Sequence, residues 1–431
     1  MKKIYLFLTI VIMLSVGVSA QETEKKNDKP ESECSHASLG IPTSTAGISF
    51  GNSKYFSGLR INIIDCGVEQ VNGMNLTLWR PEKNSKPLVN GFSVGTFPGT
   101  GDLNGYGFGL AGMVAHGNVS GVTESGLATV VRGSMKGIHH AGLAIVAEDG
   151  IYGISNAGLA VVSGGDVKGI IASGLANVAQ GESFGINIAG LASIAKGGMK
   201  GINAGGLAVV TQGQALGINF GGLALVAQEG LRGINIGGMA TVAQEEIFGL
   251  NIGGLALVSQ GGILGLNVGG AAVVSQEGIK GLNIGGLAVV SQKSILGLNI
   301  AGAALVSQEN ILGLNVGGLA VVSGNGDITG VNVSLGKIYS KGEVKGLNVA
   351  VYNTQVSDFT GLNVNPIWSD IEMLKGVSVA GYNNITGKQT GLAIGLFNYA
   401  EDLSGVQIGL LNIVRSNPVG ARILPGINAR F

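Results

Sequence analysis

Hydrophobic and polar positions recur at a fixed interval over residues 119–326. The stretch 249–276 reads GLNIGGLALVSQGGILGLNVGGAAVVSQ and repeats itself after 16 residues. One glycine returns at that step in thirteen copies, from Gly121 to Gly313, without an insertion. A second glycine five residues further on and an alanine two residues after it recur in every copy. Such constancy predicts a stack of identical units.

Each unit divides into two octets, and each octet predicts one short strand. Residues 247–262 divide into IFGLNIGG and LALVSQGG, in which a six-residue stretch is followed by a small, turn-forming pair. Strands near six residues are typical, and such pairs suit tight turns. A helix is excluded because each internal glycine costs about 1 kcal/mol relative to alanine. The block is therefore predicted to be all-β.

The variation between copies indicates which positions face inward. Three columns stay apolar throughout and are expected inside: the Ile/Leu/Val column from Val122 to Leu314, the Leu-rich column from Leu127 to Leu319, and the Val column that includes Ile194. Two columns tolerate many residue types and are expected outside. They include Ser120, Lys136, Tyr152 and Lys168 in one column and Arg132, Glu148, Gln180 and Lys196 in the other.

These features favour a β-solenoid of 16-residue coils with two short strands per coil. Each coil would add one strand to each of two parallel sheets, so that every copy meets the same neighbours. An asparagine occupies one position in nine of the thirteen copies, from Asn187 to Asn315. Stacked side-chain amides about 4.8 Å apart can form hydrogen bonds along the axis.

An outer-membrane β-barrel is the main alternative, with one strand and one turn per unit. The hydrophobic composition and the C-terminal sequence ILPGINARF, which ends on Phe431, favour it. The near absence of aromatic girdles and of a polar lumen pattern speaks against it. A two-sheet sandwich or prism is a third arrangement compatible with the period.

One outward column becomes apolar in later copies, at Phe248, Leu264, Leu296 and Leu312. A stripe of this kind indicates a contact surface. It is expected to meet a membrane, a second copy of the rod or the flanking region.

The first twenty residues predict export. MKK is a positive start, IYLFLTIVIMLSVGV is an apolar run, and Val18, Ser19 and Ala20 form a cleavage site of small residues, so the mature chain is expected to begin at Gln21. The apolar run is shorter than the roughly 20 residues of a membrane-spanning helix. We expect the outer membrane or the cell surface as the location, ahead of the periplasm.

The chain is expected to divide into five parts. These are a signal peptide (1–20), a flexible mature N-terminus (21–33), an N-terminal β capping region (34–118), the thirteen repeats (119–326), and degenerate repeats with a C-terminal cap (327–431). Export to an oxidising compartment would allow Cys34 and Cys66 to form a disulfide.

Composition supports an ordered chain and excludes one class of partner. The chain has 431 residues, of which 77 are glycine, only 12% are charged and 5% are aromatic, and its mean hydropathy is +0.41. A disordered chain would be charged and poor in aliphatic residues. The net charge is zero, so there is no electrostatic signature of nucleic-acid binding.

Two C-terminal stretches carry a resemblance to a known family. They are KGLNVAVYNTQVSDFTGLNVN (345–365) and TGLAIGLFNYAEDLSGVQIGLLNIVRS (390–416), and the upstream segments MNLTLWRPEKN and VNGFSVGTF accompany them. Together they resemble the LA_2272-type surface-repeat proteins of Gram-negative bacteria. The resemblance implies a secreted, surface or outer-membrane protein of unknown biochemical role, and it transfers no catalytic residues.

Histidines are the first candidates for chemistry, and the chain has four: His36, His116, His139 and His140. A metal site at His139 and His140 would need ligands from the adjacent copies. The equivalent residues there are Thr123, Glu124, Ser155 and Asn156. We prefer the simpler interpretation, in which both histidines are tolerated substitutions at a solvent-facing corner.

Other motifs give weaker signals. GNGD at 324–327 occurs once, where a calcium-binding repeat would need many copies, and GTGDLNG at 99–105 is interpreted as a turn. Trp79 and Arg80 are expected to pack and to cap. Acidic residues are sparse and lie mostly at unit boundaries, so they do not form the carboxylate cluster of a glycan-cleaving enzyme. A catalytic triad within residues 34–118 stays open.

The sequence therefore predicts a non-enzymatic, exported repeat protein of the cell envelope with a structural, adhesive or binding role. No catalytic, cofactor or metal site is predicted. The expected partners are the envelope or outer membrane, an unidentified protein or glycan, and a second copy through the apolar stripe. An integral outer-membrane barrel acting as a pore or in lipid handling is the alternative function.

Overall fold

A computed structural model describes residues 37–79 and 86–431. In these residues the chain forms a β-solenoid of about 22 coils of roughly 16 residues, and its only helical element is the single 3₁₀ turn Val419–Ala421. The predicted all-β solenoid is confirmed. The signal peptide, the mature N-terminus, Cys34, His36 and Arg80 lie outside the described residues.

The coils before the regular block contain six strands: β1 Ser38–Pro42, β2 Ala46–Gly51, β3 Tyr55–Ile64, β4 Gln70–Trp79, β5 Leu88–Gly95 and β6 Gly99–Thr100. From residue 103 a long strand alternates with a short one. The long strands are β7 Leu103–Gly109, β9 Val119–Ser125, β11 Ser134–Ala141, β13 Gly150–Ala157, β15 Val167–Ser173, β17 Glu182–Ala189, β19 Gly198–Gly205, β21 Ala215–Gly221, β23 Leu231–Gly237, β25 Ile247–Gly253, β27 Ile263–Gly269, β29 Ile279–Gly285, β31 Ile295–Ala301, β33 Ile311–Gly317 and β35 Ile328–Ser334.

The short strands are β8 Gly112–Ala115, β10 Ala128–Val131, β12 Ala144–Ala147, β14 Ala160–Ser163, β16 Ala176–Ala179, β18 Ala192–Ala195, β20 Ala208–Thr211, β22 Ala224–Ala227, β24 Ala240–Ala243, β26 Ala256–Ser259, β28 Ala272–Ser275, β30 Ala288–Ser291, β32 Ala304–Ser307 and β34 Ala320–Ser323. The last coils merge into β36 Lys337–Ala350, β37 Asn353–Ile394 and β38 Phe397–Val414, and β39 Ile423–Arg430 ends the chain.

Equal steps along the chain produce equal layers in space. Long strands pair with long strands in parallel, as in Asn251 opposite Asn267, and short strands pair with short strands, as in Leu257 opposite Val273. Only the two ends of the described stack are antiparallel, where β1 pairs with β2 and β38 with β39. An outer-membrane barrel is built from antiparallel neighbours. The barrel alternative is therefore wrong as a fold.

The described residues include no helix that is both long and apolar enough to cross a membrane.

A glycine column fixes the bend inside each long strand. It runs from Gly47 to Gly405, so the stacking extends on both sides of the regular 16-residue block. At Gly249 the backbone has φ +117°, and a Cβ atom there would lie 2.1 Å from the carbonyl oxygen of Gly233 in the preceding coil. L-residues with a side chain rarely adopt this conformation. Glycine at this position is therefore a geometric requirement of the stack.

The interior holds different columns from those expected. In the coil 247–262, Ile247, Asn251, Leu257 and Ser259 are fully buried. The apolar columns predicted to be inside face outward: Ile138 and Leu127 are each 51% exposed, Leu319 is 66% exposed, and Val130 is half-buried. The reason is the period of two along a strand. Since Leu250 and Asn251 are neighbours, only one can point inward, and the asparagine does.

The two columns that accept many residue types face outward, as predicted. Lys136 and Gln180 are both exposed.

Candidate functional site: the apolar surface

The outward apolar columns form one continuous surface on the rod. In the coil 247–262 it consists of Leu250, Ile252, Leu255, Ala256 and Val258. We call these five positions, repeated in every coil between residues 141 and 336, the apolar surface. Its strongly exposed members are Leu143, Ile154, Leu159, Ile170, Leu175, Ile188, Ile202, Leu207, Ile218, Phe220, Leu223, Ile234, Met239, Leu255, Leu266, Leu287, Ile300, Leu314, Leu319 and Val331.

This surface contains a single polar side chain, Asn156, and no charge. It wraps around the turn that joins the long strand to the short strand, at Gly254 and Leu255 in this coil. Because both sheets share one interior, their outer faces diverge from that turn. The apolar surface is therefore convex, and we call its ridge of Leu, Met and Ala residues the apolar corner.

Charged residues are segregated to the other side of the coil. Between residues 141 and 336 they occupy only the positions equivalent to Phe248, Gln260, Gly261 and Gly262, which we call the polar edge. Its members are Glu148, Asp149, Asp166, Lys168, Glu182, Lys196, Lys200, Glu229, Arg232, Glu245, Glu246, Glu277, Lys280, Lys293, Glu309 and Asp327.

Ion pairs connect neighbouring coils along the polar edge. Lys200 Nζ lies 2.9 Å from Glu182 Oε2, and Lys293 pairs with Glu277. These side chains are about half exposed, so each pair contributes little stability. The backbone N–H of Glu182 donates to Asp166 and holds the pKa of that carboxyl below its ordinary value. The polar edge is thus a solvated, mixed-charge surface.

Backbone N–H groups at the apolar corner are satisfied without water. The N–H of Leu255 donates to the carbonyl oxygen of Met239 at 2.7 Å, and the N–H of Ala256 donates to the same oxygen at 3.0 Å. The N–H of Gly254 donates to Gly237 at 3.0 Å. Since these bonds run along the axis to the preceding coil, the corner exposes hydrocarbon side chains without leaving these N–H groups unpaired.

Under the apolar surface lies the predicted asparagine ladder. The amide Nδ2 of Asn235 donates to Oδ1 of Asn251 at 2.9 Å, and Nδ2 of Asn251 donates to Oδ1 of Asn267 at 2.8 Å. The series of amide bonds continues from Asn187 to Asn332. The expected axial hydrogen bonds are confirmed, and they lie in the buried interior.

The two adjacent histidines do not converge on a site. His139 is buried in the column that later holds asparagine, and its Nδ1 lies 2.9 Å from Thr123 Oγ1. His140 points outward. In the part of the chain that the structure describes, no three His, Cys, Asp or Glu side chains are grouped to hold a metal ion. The solvent-facing interpretation is wrong for His139, because period-two alternation places the two histidines on opposite sides.

Burial lowers the pKa of His139 to about 4. The unfolded chain takes up a proton near the ordinary value of about 6.5, which the folded chain resists. We therefore expect up to about 3 kcal/mol of stability to be lost as the pH falls from 6.5 to 4. Urea denaturation at several pH values measures this slope. The His139→Asn variant should flatten it and His140→Asn should not, whereas equal slopes in all three proteins would contradict the assignment.

The remaining candidate motifs are structural turns and contacts. A carboxylate oxygen of Asp327 accepts the backbone N–H of Glu343 at 2.8 Å, and Asp102 accepts that of Asn118 at 2.6 Å. The ring of Trp79 packs against Phe97 at 6.0 Å between centroids. These contacts tie neighbouring coils together.

Sequence reasoning missed a buried ion pair near the N-terminal end. Arg60 donates to Asp65 at 2.6 Å and to Asn75 at 2.7 Å, and Thr77 donates to the other oxygen of Asp65. Arg60 and Asp65 are fully buried. The neighbouring Cys66 is buried and disulfide-bonded. The charged residue next to the apolar stretch INII was the available signal, and its hydrogen bond to Asn75 connects β3 with β4.

The fold defines the class of this protein as a parallel β-solenoid repeat protein. The chain matches no protein-family model, no curated protein and no solved structure. Membership of the surface-repeat family stays a prediction.

Proposed function

We propose that this chain is an exported, non-catalytic repeat protein of the bacterial cell envelope, in which the rod has a structural or binding role. The observation that carries the proposal is the size of the apolar surface. With coils about 4.8 Å apart, its roughly twelve coils are about 58 Å long. The largest apolar patch of an ordinary soluble monomer is about 300–600 Å² and is often functional. A continuous apolar surface that is two strands wide and about 58 Å long is larger than such a patch, so it needs a permanent partner.

The columnar sequence supports a role in contact more than in chemistry. Stacking places like residues on like, so the rod displays long uniform stripes of hydrocarbon, amide or mixed charge. A catalytic site needs different titratable groups at one point. Export is supported by the composition of residues 1–20, and an envelope location would supply the partner for the apolar surface.

Processing and fractionation test this proposal. In a Gram-negative host expressing the full chain, we expect the accumulated protein to begin at Gln21 and to sediment with the envelope, where it resists carbonate extraction. A variant in which Ala20 is replaced by arginine should keep its first twenty residues, because the cleavage site needs small residues. An unprocessed wild-type chain found in the cytosol would reject the export part of the proposal.

A further inference from the structure

We infer that the rod lies along a lipid bilayer with its apolar corner inserted edge-on into one leaflet. This deepens the proposed function by naming the partner of the apolar surface as the hydrocarbon of a membrane. The charged residues of the polar edge stay at the level of the headgroups and water.

The convex shape of the apolar surface favours lipid over a second copy. The outward residues of the long strand, such as Ile252, and those of the short strand, such as Val258, lie on faces that diverge from Leu255. A rigid partner of the same shape contacts one of these faces and leaves the other in water. Lipid chains are fluid and surround both faces together.

The depth of the apolar surface matches one leaflet. The short strand Ala256–Ser259 has four residues, which at about 3.3 Å per residue span roughly 13 Å from the apolar corner towards the polar edge. Half of a hydrocarbon core about 30 Å thick is about 15 Å. The corner is therefore deep enough to fill one leaflet and too shallow to cross the bilayer.

The backbone N–H groups of the apolar corner are also suited to a medium without water. An unpaired N–H or C=O group in hydrocarbon costs several kcal/mol, which restricts the structures that enter lipid. At the apolar corner the N–H groups of Gly254, Leu255 and Ala256 all donate to the preceding coil. Insertion would therefore remove side-chain hydrocarbon from water without uncovering these N–H groups.

The polar edge sets the kind of lipid surface. Between residues 141 and 336 there are ten acidic and six basic residues. This excess of negative charge means that attraction to anionic headgroups does not drive binding. Lys168, Lys200 and Lys280 lie on long strands one position from the bend that leads into the apolar surface. Their aliphatic stems can follow the apolar surface while the ammonium groups reach the headgroups. We therefore expect binding to zwitterionic membranes.

Vesicle flotation provides the test, using the purified chain that begins at Gln21, so that the apolar run of residues 1–20 does not itself bind lipid, and phosphatidylcholine vesicles. The wild type should float with the vesicles. The triple variant Leu207→Glu, Leu223→Glu and Leu255→Glu should reduce the bound fraction at least tenfold, because it places carboxylates in the hydrocarbon.

A matched control places the same charges in the same coils on the polar edge: Gln212→Glu, Gln228→Glu and Gln260→Glu. All six positions are exposed, so both variants should keep the wild-type circular dichroism and urea midpoint. The control should bind within twofold of the wild type. Equal loss in both variants would overturn the insertion geometry.

A depth measurement keeps the inference falsifiable if the triple variant does not fold. An environment-sensitive fluorophore on Leu223→Cys should shift to the blue on adding vesicles, and the same label on Gln228→Cys should not. A wild-type chain that does not float, or that forms a lipid-independent dimer through the apolar surface, overturns the inference in favour of a second copy. Processing and fractionation in cells are scored separately, so a failure of export leaves the vesicle result standing.

Discussion

Replacement of Gly249 by valine is expected to lower the free energy of unfolding by at least about 3 kcal/mol. The backbone at this position has φ +117°, and the nearest atom to an added Cβ is a backbone carbonyl oxygen at 2.1 Å. A valine at this position is strained by the positive φ, and its Cβ atom collides with the backbone carbonyl oxygen. Relief would require separating two coils whose hydrogen bonds run through this point. Urea denaturation followed by circular dichroism measures the loss.

Gly262 provides the matched control in the same coil. It lacks the positive φ, and an added Cβ would lie 3.3 Å from the flexible Cδ1 of Leu264 and 3.7 Å, an ordinary van der Waals distance, from the carbonyl oxygen of Gly278. The Gly262→Ala variant should stay within about 0.5 kcal/mol of the wild type, because it changes a surface turn. An equal loss of stability in both glycine variants would contradict the proposal that the positive φ and the close carbonyl oxygen require glycine at position 249.

The period of the chain is what made the solenoid predictable. A step of 16 residues without insertion requires each copy to meet the same neighbours, and Asn251 opposite Asn267 shows that it does. The irregular spacing at the N-terminal end hid the further coils within 34–118, because Gly58 and Gly73, for instance, are 15 residues apart yet stack in the same column. Stacking tolerates loops of different length as long as the bend glycines stay aligned.

The inside and the outside of the coil could not be assigned from hydrophobicity. In a soluble strand the apolar residues mark the interior, but here Leu250 is apolar and faces outward while Asn251 is polar and buried. Hydrogen bonds to the asparagines of the coils above and below offset the desolvation of the amide. An uncharged polar column in the interior therefore reduced the contrast between the two faces, and the constancy of the columns of Leu250 and Leu255 reflects the outer surface.

The same inversion explains why the candidate site was only partly foreseen. The stripe at Phe248, Leu264, Leu296 and Leu312 is outward, but its column also holds Lys280 and belongs to the polar edge. The larger apolar surface was assigned to the core. The alternation of residues along a strand does not show which face packs against protein and which face is exposed. The exposed fractions of residues such as Leu319 show this.

Replacement of Asn251 by aspartate is expected to cost about 4 kcal/mol at pH 7, because it leaves a charge in the buried interior. Asn251 is fully buried between Asn235, which donates to it, and Asn267, which accepts from it. A protonated carboxyl can still accept from Asn235 and donate to Asn267. An ionised carboxylate cannot donate, so it faces the Oδ1 atom of Asn267. Burial and this repulsion both raise the pKa of the introduced carboxyl in the folded chain.

The sign of the pH dependence follows from that shift. Below the unfolded pKa of about 3.9 both states of the Asn251→Asp chain are protonated, and the penalty relative to wild type is smallest. As the pH rises above that value the unfolded chain ionises first, so stability relative to wild type falls until the folded pKa is passed. Urea denaturation of both proteins at pH 4 and pH 7 measures this difference, from which the His139 contribution cancels. The Gln260→Glu variant adds the same charge at the polar edge of the same coil and should show no such change. An Asn251→Asp penalty that is equal at both pH values would mean that the amide ladder is open to water.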